Sequence, residues 1–512
     1  MAISKTDDLF RLIKSLSKSE KRTFRLFAER IKSSKELLYM QLFDIMDKQK
    51  IVNEQVIRNK LGNLSPVKYS NAKRHLYEQI LTSLRMLNKS KRSNIQIREY
   101  IDFVYILYGK GFHLQALKVL QKAKKLAKEH HHDFNLITII ELEKLIHSRH
   151  ITRSETRPIK ALTEQASEKI DTLSNRVKLS NLKMLLHRFY IEKGHVKNVE
   201  EAKEVSQFFK KQLPSVNITE LGQMEKVLLY QSNVWYYYIL NDFENCYEYA
   251  LKWVEVFREY DELQTRDINL YLRGYHYLLT CSYNLKKQNT YARYHQELEN
   301  FRKINYHRFN RNTKVLSFLY THSGRLNLHF LNGTFNEGVL GIRKTLLRLE
   351  RNKDVLDEHK ILIFYYKIAW MYLGNNQPDK AVKYLNFIID MTQISLRSDI
   401  QAYSRLMFLM VHNDLGNFNL LPSLVRNYHA YFTKKKLDNK VQLSLLKFFK
   451  ITGNTPIFER KALMKTYLEK LQKLETNKYE KRAFLYLDCI SWLKAKIERR
   501  PLGEVIRERT AE

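Results

Sequence analysis

Only 14 glycines and 7 prolines punctuate the 512 residues. So few turn-formers exclude a large sheet protein, and they fit long helices with short connections. Cysteine is scarcer still. Cys246, Cys281 and Cys489 stand far apart with no metal-ligand spacing, which excludes a disulfide scaffold and predicts a reducing compartment. No run reaches the roughly 18 uncharged apolar residues that a membrane span needs. Even residues 361–373 are interrupted by Lys367. The opening MAISKTDDLFRLIKS is charged throughout and lacks the apolar stretch of a signal peptide. A cytoplasmic chain without membrane insertion is therefore expected.

Acidic charge is the other shortage. Against 89 Lys and Arg stand 54 Asp and Glu, a formal charge of +35. An excess this large favours a polyanionic partner: nucleic acid, a ribonucleoprotein surface, an acidic protein or an anionic membrane. Solvated lysine faces would account for the same number. Hydrophobic content of 44% is enough for a packed core.

The first hundred residues hold 22 basic and 10 acidic side chains, about a third of the whole excess. Ser17 and Glu20 have capping-box spacing, predicting a helix from Lys18 towards Ile31. A second helix is expected over residues 36–48, with Leu37, Leu38, Met40, Leu42, Phe43 and Met46 on its apolar side. A short third helix over 53–61 is stopped by Gly62, and Ser65 with Pro66 opens a long helix to about Leu87. From 58 to 92, Arg58, Lys60, Lys68, Lys73, Arg74, Arg85, Lys89, Lys91 and Arg92 are opposed only by Glu78, with Tyr69, Asn71 and His75 interleaved. Lys68, Lys73, Arg74, Arg85, Lys89, Lys91 and Arg92 are the candidate nucleic-acid-binding residues, since clustered cations neutralise phosphates. Short helix, turn and long basic helix loosely resemble a helix-turn-helix. An ordinary helical cap with a solvated face reads the same way.

From residue 100 a helical hairpin recurs. Its clearest copy is 363–390, IFYYKIAWMYLGNNQPDKAVKYLNFIID. Tyr365, Ile368, Ala369 and Tyr372 form a helical apolar row, and Gly374, Asn375 and Asn376 break it. Pro378 opens a second helix whose stripe is Ala381, Leu385 and Ile388. Anchored on Ala381, corresponding positions fall at Ala116, Ala161, Ala202, Cys246, Ala292, Gly338, Leu421 and Ala462, at separations of 40 to 46 residues. Tyr237 with Cys246, and Tyr283 with Ala292, keep the nine-residue offset of Tyr372 with Ala381.

These hairpins resemble tetratricopeptide repeats, with Tyr365, Ala369, Tyr372, Ala381 and Ile388 at the motif positions. The interval of about 43 exceeds the 34 of that family and lies nearer HEAT and armadillo repeats. The resemblance implies an all-α fold, a helical-hairpin repeat α-solenoid with an N-terminal basic helical module. It also implies a concave face that holds a protein partner. The expected domains are 1–99 for the basic module, 100–475 for the array, and 476–512 for a capping helix with a mobile polar tail.

No Gly-rich phosphate loop, H-E-x-x-H, C-x-x-C or G-x-S-x-G occurs. His130, His131 and His132 read as a solvated helix-end tract, and His147 with His150 lacks a third ligand. The expectation is a non-enzymatic scaffold, without catalytic residues, cofactor or metal. It would bind nucleic acid or a ribonucleoprotein together with a protein partner. The alternative is a protein- or peptide-binding adaptor that makes no nucleic-acid contact.

Overall fold

The computed structural model describes residues 5–29, 34–149, 157–391, 398–435 and 439–511, and these residues are helical with no strand among them. They form two compact units, Met1–Leu173 and Ser174–Glu512.

In the first unit the capping box closes in both directions. Ser17 N–H donates to Glu20 Oε2 at 2.7 Å, and Glu20 N–H donates to Ser17 Oγ at 3.2 Å. The helices Lys18–Glu29, Ser34–Lys48, Glu54–Lys60 and Pro66–Asn88 follow. Phe24, Tyr39, Phe43, Ile57, Tyr69, Leu76 and Ile80 bury one core. The helices Ser93–Gly109, His113–Glu129 and Asp133–Arg149 enclose a second core around Ile97, Ala116, Leu120, Ala123 and Ile140. Of the residues read as apolar in the second helix, Leu37 has a side chain outside the described set.

The second unit is a run of hairpins packed in chain order. Helices Gln223–Ile239, Ile268–Asn284, Arg311–Asn332, Glu358–Gly374 and Ser398–Asp414 are the first members. Successive pairs from Ile268–Asn284 onward pack on one another as well as on the intervening helices. Being covered on both sides, Glu358–Gly374 buries residues all round: Leu362, Phe364, Ile368, Ala369, Trp370 and Met371. Its Tyr365 and Tyr372 are only half-buried and lie against Tyr384, at centroid distances of 5.7 and 5.8 Å. The single apolar row read from the sequence is therefore one part of a wider buried surface.

One turn recurs between helices, at Gly111, His131, Asn241, Lys286, Gly333, Asn376 and Gly416, all left-handed. Each donates its N–H to the carbonyl three residues back, and the next residue donates to the carbonyl five back. This is the Schellman ending of a helix. The residue five positions after each turn residue is buried: Ala116, Leu136, Cys246, Tyr291, Gly338, Ala381 and Leu421. The turn therefore fixes which position faces the preceding helix. It moves one anchor from Ala292 to Tyr291, and it shows Ala161 and Ala462 on exposed faces. Cys246 and Cys281, distant in sequence, meet in this core with their sulfurs 3.0 Å apart as free thiols.

Residues 501–511, read from the sequence as a mobile tail, include the helix Leu502–Ala511. Leu502, Val505 and Ile506 are buried, an i, i+3, i+4 stripe. This helix packs on Arg311–Asn332 and touches the turn at Gly333, where Arg507 Nη1 donates to Gly333 O at 3.2 Å. A Cβ built at Gly503 would stand 2.1 Å from Gly333 O, so the two backbones meet only because neither residue has a side chain. Gly503→Ala is expected to cost about 1–3 kcal/mol, the usual penalty of overpacking. A urea midpoint unchanged from the parent would count against this packing.

Candidate nucleic-acid interface

The basic stretch is organised by two caps. Asn53 Oδ1 accepts from Val56 N–H at 3.1 Å to start Glu54–Lys60, and Ser65 Oγ accepts from Lys68 N–H at 3.4 Å to start Pro66–Asn88. Gly62 and Asn63 turn the chain between them in left-handed conformations. Arg58 Nε donates to Leu64 O at 2.9 Å, which spends that guanidinium on the turn itself.

The long helix buries Tyr69, Ala72, Leu76, Ile80 and Ser83. At 100° per residue, this places Arg74 and Arg85 on the opposite face, Lys73 at one edge of the buried stripe and Lys68 towards the other. Lys73 Nζ lies 4.6 Å from the centre of the Tyr69 ring and 3.7 Å from Glu54 Oε1. Arg85 pairs with Asp102 at 3.5 Å, and Lys89 pairs with Glu99 at 2.6 Å. Lys68, Arg74, Lys91 and Arg92 are exposed and make no ion pair among the described residues. Thus the acids that answer Lys73, Arg85 and Lys89 come from outside the stretch in which Glu78 alone was counted.

The interleaved rings do not offer a stacking surface. Tyr69 is 1% exposed, and burial together with Glu54 pushes its hydroxyl pKa up to about 12. His75 meets Tyr39 edge-on at 5.0 Å. Asn71 is exposed.

In the second unit, residues 479–511 lie along the first helices of the hairpins. Tyr366 Oη donates to Tyr486 O at 2.7 Å, Tyr486 Oη donates to Asp399 Oδ2 at 2.7 Å, and the Tyr403 and Tyr486 rings stack at 4.7 Å. Trp492 Nε1 donates to Asp414 Oδ2 at 3.3 Å, and Lys496 pairs with the same oxygen at 2.8 Å. Arg509 binds Glu475 and Asp488 at 2.9 Å each. The first helices of the hairpins are thus partly covered by the chain's own final helices. The i, i+3, i+4 spacing of Leu502, Val505 and Ile506 was the sequence signal for this.

His131 occupies a left-handed turn position, and His132 Nε2 lies 2.8 Å from Ser93 Oγ. His147 is buried, and His150 lies outside the described residues. Among the described residues no three His, Cys, Asp or Glu side chains converge to hold a metal ion. Among them, too, no helix is long and apolar enough to cross a membrane. No family model matches the chain, and no curated protein matches it.

Proposed function

We propose that the chain is a non-enzymatic helical-repeat scaffold that binds a polyanionic partner, nucleic acid or a ribonucleoprotein surface, through its N-terminal basic helices. A tetratricopeptide-like array would carry the protein partner. The observation that supports the first part is the set Lys68, Arg74, Lys91 and Arg92, exposed cations without acidic partners in a stretch where neighbouring cations have them. The recurrence of one hairpin turn supports the second.

Four phosphate contacts give a salt slope of roughly −3 to −4 in log K against log salt, because each neutralised phosphate releases counterion. Replacing Lys68, Arg74, Lys91 and Arg92 by Glu is expected to abolish binding of a labelled duplex or single strand in fluorescence anisotropy, with the helical signal unchanged. Unaltered affinity in that folded variant would remove these residues from the interface. Pairing of Lys73, Arg85 and Lys89 with acids favours a second reading, a protein adaptor without nucleic-acid contact. Protein partners that survive nuclease treatment, with no nucleic acid co-purifying, would select it.

A further inference from the structure

The helices Leu421–Lys435 and Lys440–Asn454 pack on each other in the second unit, and neither contains an Asp or Glu. Between them lies an open groove of about 690 Å³. Val425 of the first helix lines it, with Leu443, Leu446, Lys447, Lys450 and Ile451 of the second. The spacing of that second set, i, i+3, i+4, i+7 and i+8, is one face of a helix. At 100° per residue this face points away from Phe448 and Phe449, which pack on Trp492 of the final helices. Val425 and Leu446 are buried, and Leu443 and Ile451 are exposed. Just past Thr455, which also lines the groove, the chain presents Ile457 and Phe458, 79% and 82% exposed. Large apolar side chains left in water beside a groove mark an interaction surface. Lys447 and Lys450 are exposed too, and form no ion pair among the described residues. The first acid after them in the chain is Glu459, beyond the loop.

We infer that this groove docks an acidic amphipathic helix of a partner protein. The apolar side of that helix lies on Val425, Leu443, Leu446 and Ile451, and its Asp or Glu side chains meet Lys447 and Lys450. The lining from Leu443 to Asn454 runs roughly 16 Å along its helix, room for about three turns of a partner. The mixture of side chains decides the class of partner. A nucleic-acid backbone would use the two lysines and leave the apolar lining in water, whereas an amphipathic helix removes that lining from water. Acids beside its apolar side meet lysines that have no acid of their own, which selects the partner and sets its register. The inference rests on the reading that the array carries a protein partner, and it is independent of the N-terminal cations.

The test uses the full chain and fluorescence anisotropy with a labelled, stapled helical peptide of about 14 residues, with Leu at i, i+3, i+4 and i+7 and Glu elsewhere. One control peptide has Lys for every Glu, and a second has the same composition without the stripe. The acidic striped peptide is expected to bind, and both controls at least tenfold more weakly. Lys447→Glu combined with Lys450→Glu should reverse the preference in favour of the Lys peptide. Phe458→Ser, a change at an exposed position, should weaken the acidic peptide threefold or more with the helical signal unchanged. The fourfold Glu variant of the N-terminal cations should bind it as the parent does. No binding of the acidic peptide by the parent, or equal binding by the parent and the double variant, would overturn the inference. So would a labelled DNA duplex bound by the parent and lost in the double variant, which would give the groove to nucleic acid. Proteins captured from nuclease-treated lysate by parent and double variant alike would overturn the groove alone and leave the scaffold reading standing.

Discussion

Trp492→Ala is expected to lower the stability of the chain by about 3–5 kcal/mol, the usual cost of emptying a large buried aromatic site. Trp492 is 1% exposed and lies against Phe448 and Phe449, at 6.4 and 6.0 Å, with its indole N–H on Asp414. Its loss would leave a cavity in the seam between the last helices and the array. It would also take one of the donors from a carboxylate that is 4% exposed. Burial already raises the Asp414 pKa against the opposing pull of Lys496 and Trp492, so each remaining donor matters more. Trp492→Phe should recover most of the packing and lose about 1 kcal/mol for the hydrogen bond. Equilibrium urea unfolding measures both. A loss under 1 kcal/mol for the alanine variant would mean that the final helices contribute little to this core.

Acid is expected to destabilise the chain below pH 6.5, and His322 is one named cause. His322 is 3% exposed, with Nδ1 3.0 Å from Thr345 Oγ1 and the ring 4.7 Å from Phe318. Burial, then Arg325, Arg348, Arg302 and Lys344 push its pKa down to about 3. The unfolded chain, with an ordinary imidazole near 6.5, therefore binds the proton first. Stability is whole above pH 6.5, falls as pH drops through the window from 6.5 to 3, and the loss levels off below it. At pH 5 the loss from this one group is about 2 kcal/mol. His276 acts in the same direction. Unfolding free energies measured at pH 7.5 and pH 5 should differ less in His322→Gln than in the parent. An identical pH dependence in the two proteins would exclude His322 as a cause.

The helical class, the caps and the turns were legible in the sequence because they are set by local chemistry. Ser17 with Glu20, and Ser65, find their hydrogen-bond partners within three residues, whereas Asn53, read as the first residue of its helix, caps it instead. Gly111, Gly333 and Asn376 are residue types that accept a left-handed backbone, which suits them to the turns that end these helices. His131 and Lys286 occupy the same turn with no such signature, because the hydrogen bonds of the helix end hold them there. The inward stripe of Ala381, Leu385 and Ile388 followed from helical periodicity alone.

What only the tertiary structure decided depends on residues far apart in the chain. Charge counted along a stretch cannot see Glu99 and Asp102 folding back onto Lys89 and Arg85, nor Tyr69 turning into the core beneath Lys73. Tyr486 meets Tyr366 across 120 residues, and Arg507 meets Gly333 across 174. Packing rather than periodicity covered Glu358–Gly374 on every side. Local hydrogen bonds and spacing fixed the elements; long-range burial and charge decided which faces and which cations stay exposed.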